Sequence, residues 1–294
     1  MIDSRLTSAR FGKVAIYAIM LVVAVSMFIP FVELLARSLS FPTEVATGKV
    51  TLWPRNVTLG NYTYFKDYTM LWRSLFNTIL VTVVGTLWSL LITALMAFPL
   101  ARPRSEFPAG PVIILLVIFT MIFNPPMVPF YLVMRELGLL NGLFRSLVLT
   151  HSVQPFYLIL MIVYFRDFEE ELFDASRMDG ASDLTILLRV VLPLSKPILT
   201  TLAVYYAVSY WNIFQTALVL ISKQSLKTLQ VFVQQMLTES IDAAERTIGV
   251  YNPFRYSEST KAALTLISTI PIVMVYPFLQ KYFIKGSRLG AIKG

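Results

Sequence analysis

The sequence predicts an all-α, polytopic membrane protein with six transmembrane helices and both termini in the cytoplasm. Three observations carry this. Of the 294 residues, 56% are hydrophobic and only 14% are charged, whereas soluble domains average about 25% charged. The mean hydropathy is +0.68. The apolar residues also fall into six separate stretches of the length needed to cross a bilayer, about 20 residues each.

The first stretch is Val14 to Ala36. It is too long for a cleavable signal peptide, and no small-residue cleavage site follows it before Glu33 and Arg37. The second runs from Leu75 to Leu100, and its Thr78, Thr82, Gly85, Ser89 and Thr93 share one helical face. Small residues at that spacing point to close helix packing. The third runs from Pro111 to Met134 and contains Asn124-Pro125-Pro126 and Pro129, which remove backbone donors and kink or unwind a helix. The fourth is Ser146 to Tyr164, with His151 toward its outer end. The fifth is Ile198 to Leu220 and the sixth Ala262 to Phe283. One membrane domain therefore covers residues 1–294, with external loops 37–74 and 221–261.

Lys and Arg are denser in the tails and in the two loops on their side than in the long loops opposite, which places both termini in the cytoplasm. The net charge of +8 belongs to these flanks and to lipid headgroups. No recognition module accompanies it to suggest nucleic acid. There are no cysteines and one histidine, so no disulfide framework, thiol nucleophile or metal cluster is expected. No catalytic constellation emerges, and the chain is not expected to be an enzyme.

Fold class and charge leave the cytoplasmic segment 166–197 as the most informative part. It opens with Glu169-Glu170-Glu171, which favour a helix N-terminus. A short helix should end at Gly180, where φ > 0 is easily taken. Ser182 or Asp183 can cap a second helix. Pro193 and Pro197 then break the chain ahead of the fifth span.

This segment resembles the EAA loop of the permease subunits of ABC importers. In that motif Glu-Ala-Ala is followed by Asp-Gly-Ala, and nine residues after the glycine comes Ile-x-Leu-Pro. Here the positions are Asp174-Ala175-Ser176, Asp179-Gly180-Ala181 and Val190-Val191-Leu192-Pro193. Asp174, Ser176 and Val190 depart from the pattern by size or charge neighbours. The resemblance implies a type I ABC importer permease fold in which Asp174, Ala175, Ser176, Asp179, Gly180, Ala181, Leu192 and Pro193 couple to an ATPase. It implies two separate ATPase subunits that hold ATP and Mg, a second homologous permease making a heterodimer, an external solute-binding protein, and a bacterial inner-membrane location. The absence of a Gly-x-x-x-x-Gly-Lys-Ser/Thr loop from the sequence agrees with an ATP site elsewhere.

The six-span plan and the final Gly-Ser-Arg-Leu-Gly-Ala-Ile-Lys-Gly resemble the carbohydrate branch, and more closely the second permease of the maltose importer. In that branch the tail touches the ATPases and the loop 221–261 reaches the binding protein. The stretches Leu137-Gly138-Leu139-Leu140-Asn141 and Tyr276 to Phe283 resemble permeases for acidic oligosaccharides such as alginate.

On the fifth span Thr201, Tyr205, Ser209, Asn212 and Thr216 share one face, with Tyr206, Tyr210, Trp211 and Gln215 beside it. Hydroxyls, amides and aromatic rings are what a sugar needs, so this stripe and Asn124 are the expected substrate pathway. Bonding between neighbouring helices is the other use of such residues. The alternative function is an autonomous secondary transporter or channel for a small polar solute. It calls for intramembrane ionisable residues, of which the spans hold almost none.

Overall fold

The structure, a computed structural model, describes residues 2–123, 125–238, 253–255 and 257–289, without the side chains of 2–12 and 275–289. The described residues are mostly helical. They form two compact units: 2–68 with 233–270, and 69–232 with the chain from 271 onward.

The first unit opens with α1 (Ile2–Ser38). Its apolar portion, Lys13–Ser38, is long enough to cross a membrane, and Val14 through Val32 leave almost all their large side chains exposed, as lipid contact requires. α2 (Pro42–Ala46) and α3 (Gly60–Lys66) follow. Their anchor is Asn61, which is fully buried. Its Nδ2 donates to the Ser38 and Ser40 carbonyls at 2.8 and 2.9 Å. Its Oδ1 accepts from Ser259 and Thr260 at 3.0 and 3.2 Å. A buried amide is tolerated because every one of its groups is satisfied.

The second unit is built on α4 (Thr69–Ala101), 33 residues long and so about 50 Å. α5 (Gly110–Ile122) and α6 (Met127–Glu136) divide the third apolar stretch. The backbone turns extended at Phe123, and Pro126 starts the next helix, because the two prolines supply no N–H to continue the ladder. The fourth stretch begins as a π turn, Leu143–Val148, and a 3₁₀ turn, Leu149–His151. It then bends by 53° into α7 (Pro155–Arg166). The segment 166–197 holds α8 (Glu170–Met178) and α9 (Asp183–Ile186). A π turn at Leu187–Val191 leads to α10 (Leu192–Leu194) and, through an 84° bend, to α11 (Lys196–Trp211). α12 (Gln215–Leu220) completes the fifth stretch. That stretch is therefore broken after Trp211, where the Asn212 side chain folds back onto the Val208 carbonyl at 2.9 Å. α13 (Leu229–Thr238) and α14 (Glu258–Leu289) close the chain. The sixth expected stretch lies within α14.

By length and apolarity alone, the described residues contain two membrane-crossing helices, Lys13–Ser38 and Thr69–Ala101, or up to four when each bent pair is taken as one span.

α11 packs along α4. Thr78, Gly85, Ser89 and Thr93 of α4 are buried, and two tyrosines of α11 fill the space above them. The segment after α12 is pinned from two sides. Asn77 Nδ2 donates to the carbonyls of Ser225 and Lys227 at 3.1 and 3.0 Å. Asn141, at φ 54°, accepts from the Ser222 and Lys223 amides at 2.8 and 3.0 Å.

Candidate coupling loop and translocation face

The local chemistry of 170–186 produces a helix–turn–helix with a fixed corner. Gly180 takes φ 77°. Its amide donates to the Arg177 carbonyl at 2.9 Å, and the Ala181 amide donates to Ser176 at 3.1 Å. These are the two bonds of a Schellman cap, which satisfies carbonyls that the helix end leaves open. Ser182 then caps α9, its Oγ accepting from the Thr185 amide at 3.3 Å.

The corner stands in solvent. Asp174, Ala175, Asp179 and Gly180 are exposed, as are Met178 at 90% and Leu184 at 56%. Ser176 is half-buried, its hydroxyl donating to the Leu172 carbonyl at 2.8 Å. Ala181 packs against the core. Leu192 and Pro193 lie on the far limb, the first against the core and the second exposed. A Cβ added at Gly180 would meet nothing within 4 Å.

What holds this corner to the rest of the unit was not among the expected residues. Phe173, the one buried residue of α8, has its ring centroid 4.0 Å from the Arg102 guanidinium, and the Phe98 ring lies 4.7 Å from the same group. Arg177 grips Glu106 with two bonds, at 2.6 and 3.2 Å. Arg102 also reaches Glu106 and Asp183 at 3.8 Å each. The Arg177 hydrogen bond holds the Glu106 carboxyl below its ordinary pKa, and the same bond raises Arg177. Burial lowers Arg102, and Glu106 partly offsets this. Arg102 remains a cation at neutral pH because arginine starts far above it.

The second expected site, the stripe of the fifth stretch, is interrupted by the break after Trp211, with Asn212 at the break and Gln215 and Thr216 on α12, and it divides into two groups. Tyr206 and Tyr210 are fully buried. The Tyr206 hydroxyl pairs with Thr93 at 2.7 Å and accepts from the Gln154 amide at 3.2 Å. The Tyr210 hydroxyl pairs with Ser89 at 2.8 Å and reaches the His151 carbonyl at 3.1 Å. Both hydroxyls are committed to neighbouring helices. Trp211 is also buried; with Val208 it faces Ile79 and Val83 across an apolar groove of about 290 Å³.

The other group is accessible. Asn212 and Gln215 are exposed, and Tyr205, Ser209 and Thr216 are half-buried. Tyr205 stacks on Tyr157 with centroids 5.5 Å apart. Thr216 sits 3.5 Å from His151 Nε2. Thr201 turns back to the Pro197 carbonyl. Asn124 lies outside the described residues. Among the described residues, no group of three or more His, Cys, Asp or Glu is placed to hold a metal ion.

Residues 83–289 match the family described as the inner membrane component of binding-protein-dependent transport systems. The chain is 34% identical over 289 residues to the polygalacturonan/rhamnogalacturonan transport system permease protein YtcP of Bacillus subtilis (strain 168), covering 97% of this chain and 99% of that one. It is 36% identical over 266 residues to protein LplC of the same organism, covering 90% and 89%. Among solved structures it resembles a chain of a bacterial ABC transporter involved in import of the acidic polysaccharide alginate. The TM-score is 0.83 at 32% identity, over 94% of this chain and 98% of that one.

Proposed function

This chain belongs to the family of inner membrane components of binding-protein-dependent transport systems, and from that premise we propose that it is one permease subunit of an ATP-driven importer for an oligosaccharide. Membership of that family makes it a membrane component of a transport system and not an enzyme. The acidic character of the saccharides named for YtcP and for the alginate importer supports an acidic oligosaccharide as cargo. The observation that carries the reading is the exposed, double-capped corner at Gly180, a rigid knob of small residues with acidic neighbours.

In this reading six spans cross a bacterial inner membrane, and both termini and the 166–197 loop are cytoplasmic. A second, homologous permease completes the path. Two ATPase subunits, which hold ATP and Mg, dock on the knob: Ala175 and Gly180 allow close approach, and Asp174 and Asp179 face basic or amide groups. An external binding protein delivers the sugar to the loops around 37–74 and 221–261. ATP-driven closure of the ATPases moves the knob, the spans turn outward, and hydrolysis resets them. The sugar passes the accessible group along α11 and α12, where Asn212 and Gln215 offer amides, Ser209 and Thr216 hydroxyls, and Tyr205 an aromatic face. Tyr206, Tyr210 and Trp211 support that face from behind.

Tagged purification in mild detergent with mass spectrometry tests the assembly. Recovery of an ATPase and a second permease is the expected result; recovery of the folded chain alone would overturn it. Asn212→Leu removes an exposed amide. It is expected to raise the apparent KM for oligogalacturonide uptake roughly tenfold, the equivalent of about 1.4 kcal/mol, with ATPase association intact. Unchanged uptake kinetics would return this face to helix packing.

A further inference from the structure

We propose that Arg102, Glu106 and Arg177 are positioning residues that lock the coupling helix α8 to the cytoplasmic end of α4, so that the two move as one body. The inference rests on the permease reading and adds to it the route by which displacement of the knob reaches the spans.

α8 has nine residues and a single buried side chain, Phe173. A helix that short is unstable by itself, and one apolar contact leaves it free to rotate. Covalent continuity does not remove that freedom. Beyond the capped corner, the path from α8 to α11 runs through a π turn and an 84° bend, each a place where the chain can flex.

The second attachment is the side-chain ladder. Phe98 lies on the last turn of α4, Arg102 just past its end, and Glu106 in the turn that follows Pro103. Phe173 and Arg177 are spaced by four on α8, which puts them on one face. The two rows mesh. Phe173 meets Phe98 edge-to-face, centroids 6.4 Å apart, and the Arg102 guanidinium touches both rings, 4.0 Å from Phe173 and 4.7 Å from Phe98. Arg177 grips Glu106 through a two-pronged ion pair, a geometry that fixes orientation as well as distance. Asp183 brings the start of α9 to Arg102 at 3.8 Å. Two contacts one helical turn apart fix α8 against rotation and sliding together. From α4 the displacement continues to α11 through Thr93–Tyr206 and Ser89–Tyr210.

The chain contains no cysteine, so two introduced thiols are unique. The test places spin labels at Glu171→Cys on α8 and Leu95→Cys on α4, both exposed, in the complex with its ATPase partners. The label distance is expected to be narrow and the same with and without ATP. Glu106→Arg or Arg177→Glu should each at least double the width of the distribution and lower oligogalacturonide uptake tenfold or more. The exchanged pair, Glu106→Arg with Arg177→Glu, should narrow the distribution relative to either single reversal but short of the parent, because position 106 then sets a cation against Arg102 and position 177 an anion against Asp174. If a reversal blocks insertion, Glu106→Gln and Arg177→Gln are read with the same labels. Single variants that keep the narrow distribution, or an exchange no narrower than the single reversals, would overturn the clamp. Purification without any ATPase would instead sink the permease reading on which it stands.

Discussion

Gly180→Trp is expected to reduce oligosaccharide uptake to background and to lose the ATPase during purification, while the chain still inserts in the membrane. The separation of these effects follows from the site. The left-handed conformation at φ 77° costs an L-residue about 1–2 kcal/mol. That is small beside a typical folding stability of 5–15 kcal/mol. A Cβ there meets nothing within 4 Å and the position is exposed, so an indole has room to project outward and its bulk acts on whatever docks. Two companions divide strain from bulk. Gly180→Asn tolerates the conformation, as Asn56 and Asn141 of this chain do at φ 47° and 54°, and should transport almost normally. Gly180→Ala carries the strain without the bulk, and most of its uptake should persist. Normal uptake by the tryptophan variant, assayed beside these two, would remove the coupling role from this corner.

The corner was legible in the sequence because its determinants are local. A glycine at the end of a short helix and a serine two positions later are enough to write both caps. The clamp was not legible. Arg177 and Glu106 are 71 positions apart, and nothing in either neighbourhood names the other. The same holds for Asn77, whose partners lie about 150 positions away. The break in the third apolar stretch is announced by Pro125 and Pro126. The break after Trp211 carries no proline; there the Asn212 side chain joins its own backbone amide on the Val208 carbonyl.

The α11 stripe shows a different limit. In water a helix reports its buried face by contrast between apolar and polar residues. A membrane helix is apolar on lipid and protein sides alike, so polar residues are the remaining signal and they serve two purposes. Tyr206 and Tyr210 resemble a sugar platform by type, yet the hydroxyls of both are bonded inside the unit. The information that distinguishes them from Tyr205 and Asn212 is in the facing helix, in the small residues Gly85, Ser89 and Thr93.

That facing pair yields the largest expected effect on stability. Gly85→Leu should prevent α4 and α11 from closing. A Cβ at position 85 would lie 2.7 to 2.8 Å from Cε2, Cζ and Cε1 of Tyr210, well inside van der Waals contact. The ring cannot swing away cheaply, since it is fully buried and its hydroxyl is held by Ser89 and the His151 carbonyl. Overpacking of this kind costs about 1–3 kcal/mol. Each hydrogen bond broken in a buried site adds about 1–3 kcal/mol. The total, of order 5 kcal/mol, approaches a whole domain's stability, so the solubilised variant should aggregate at markedly lower temperature and in much lower yield. Removing the opposing ring supplies the check. Tyr210→Ala leaves a cavity and is itself destabilising, but with Gly85→Leu the new side chain occupies that space. The double variant should therefore be more stable than the sum of the two single losses, a coupling expected only for residues in contact. An unchanged melting temperature for Gly85→Leu, or strict additivity with Tyr210→Ala, would mean that α4 and α11 do not meet at this point. The support behind the translocation face would then have to be sought elsewhere on α11.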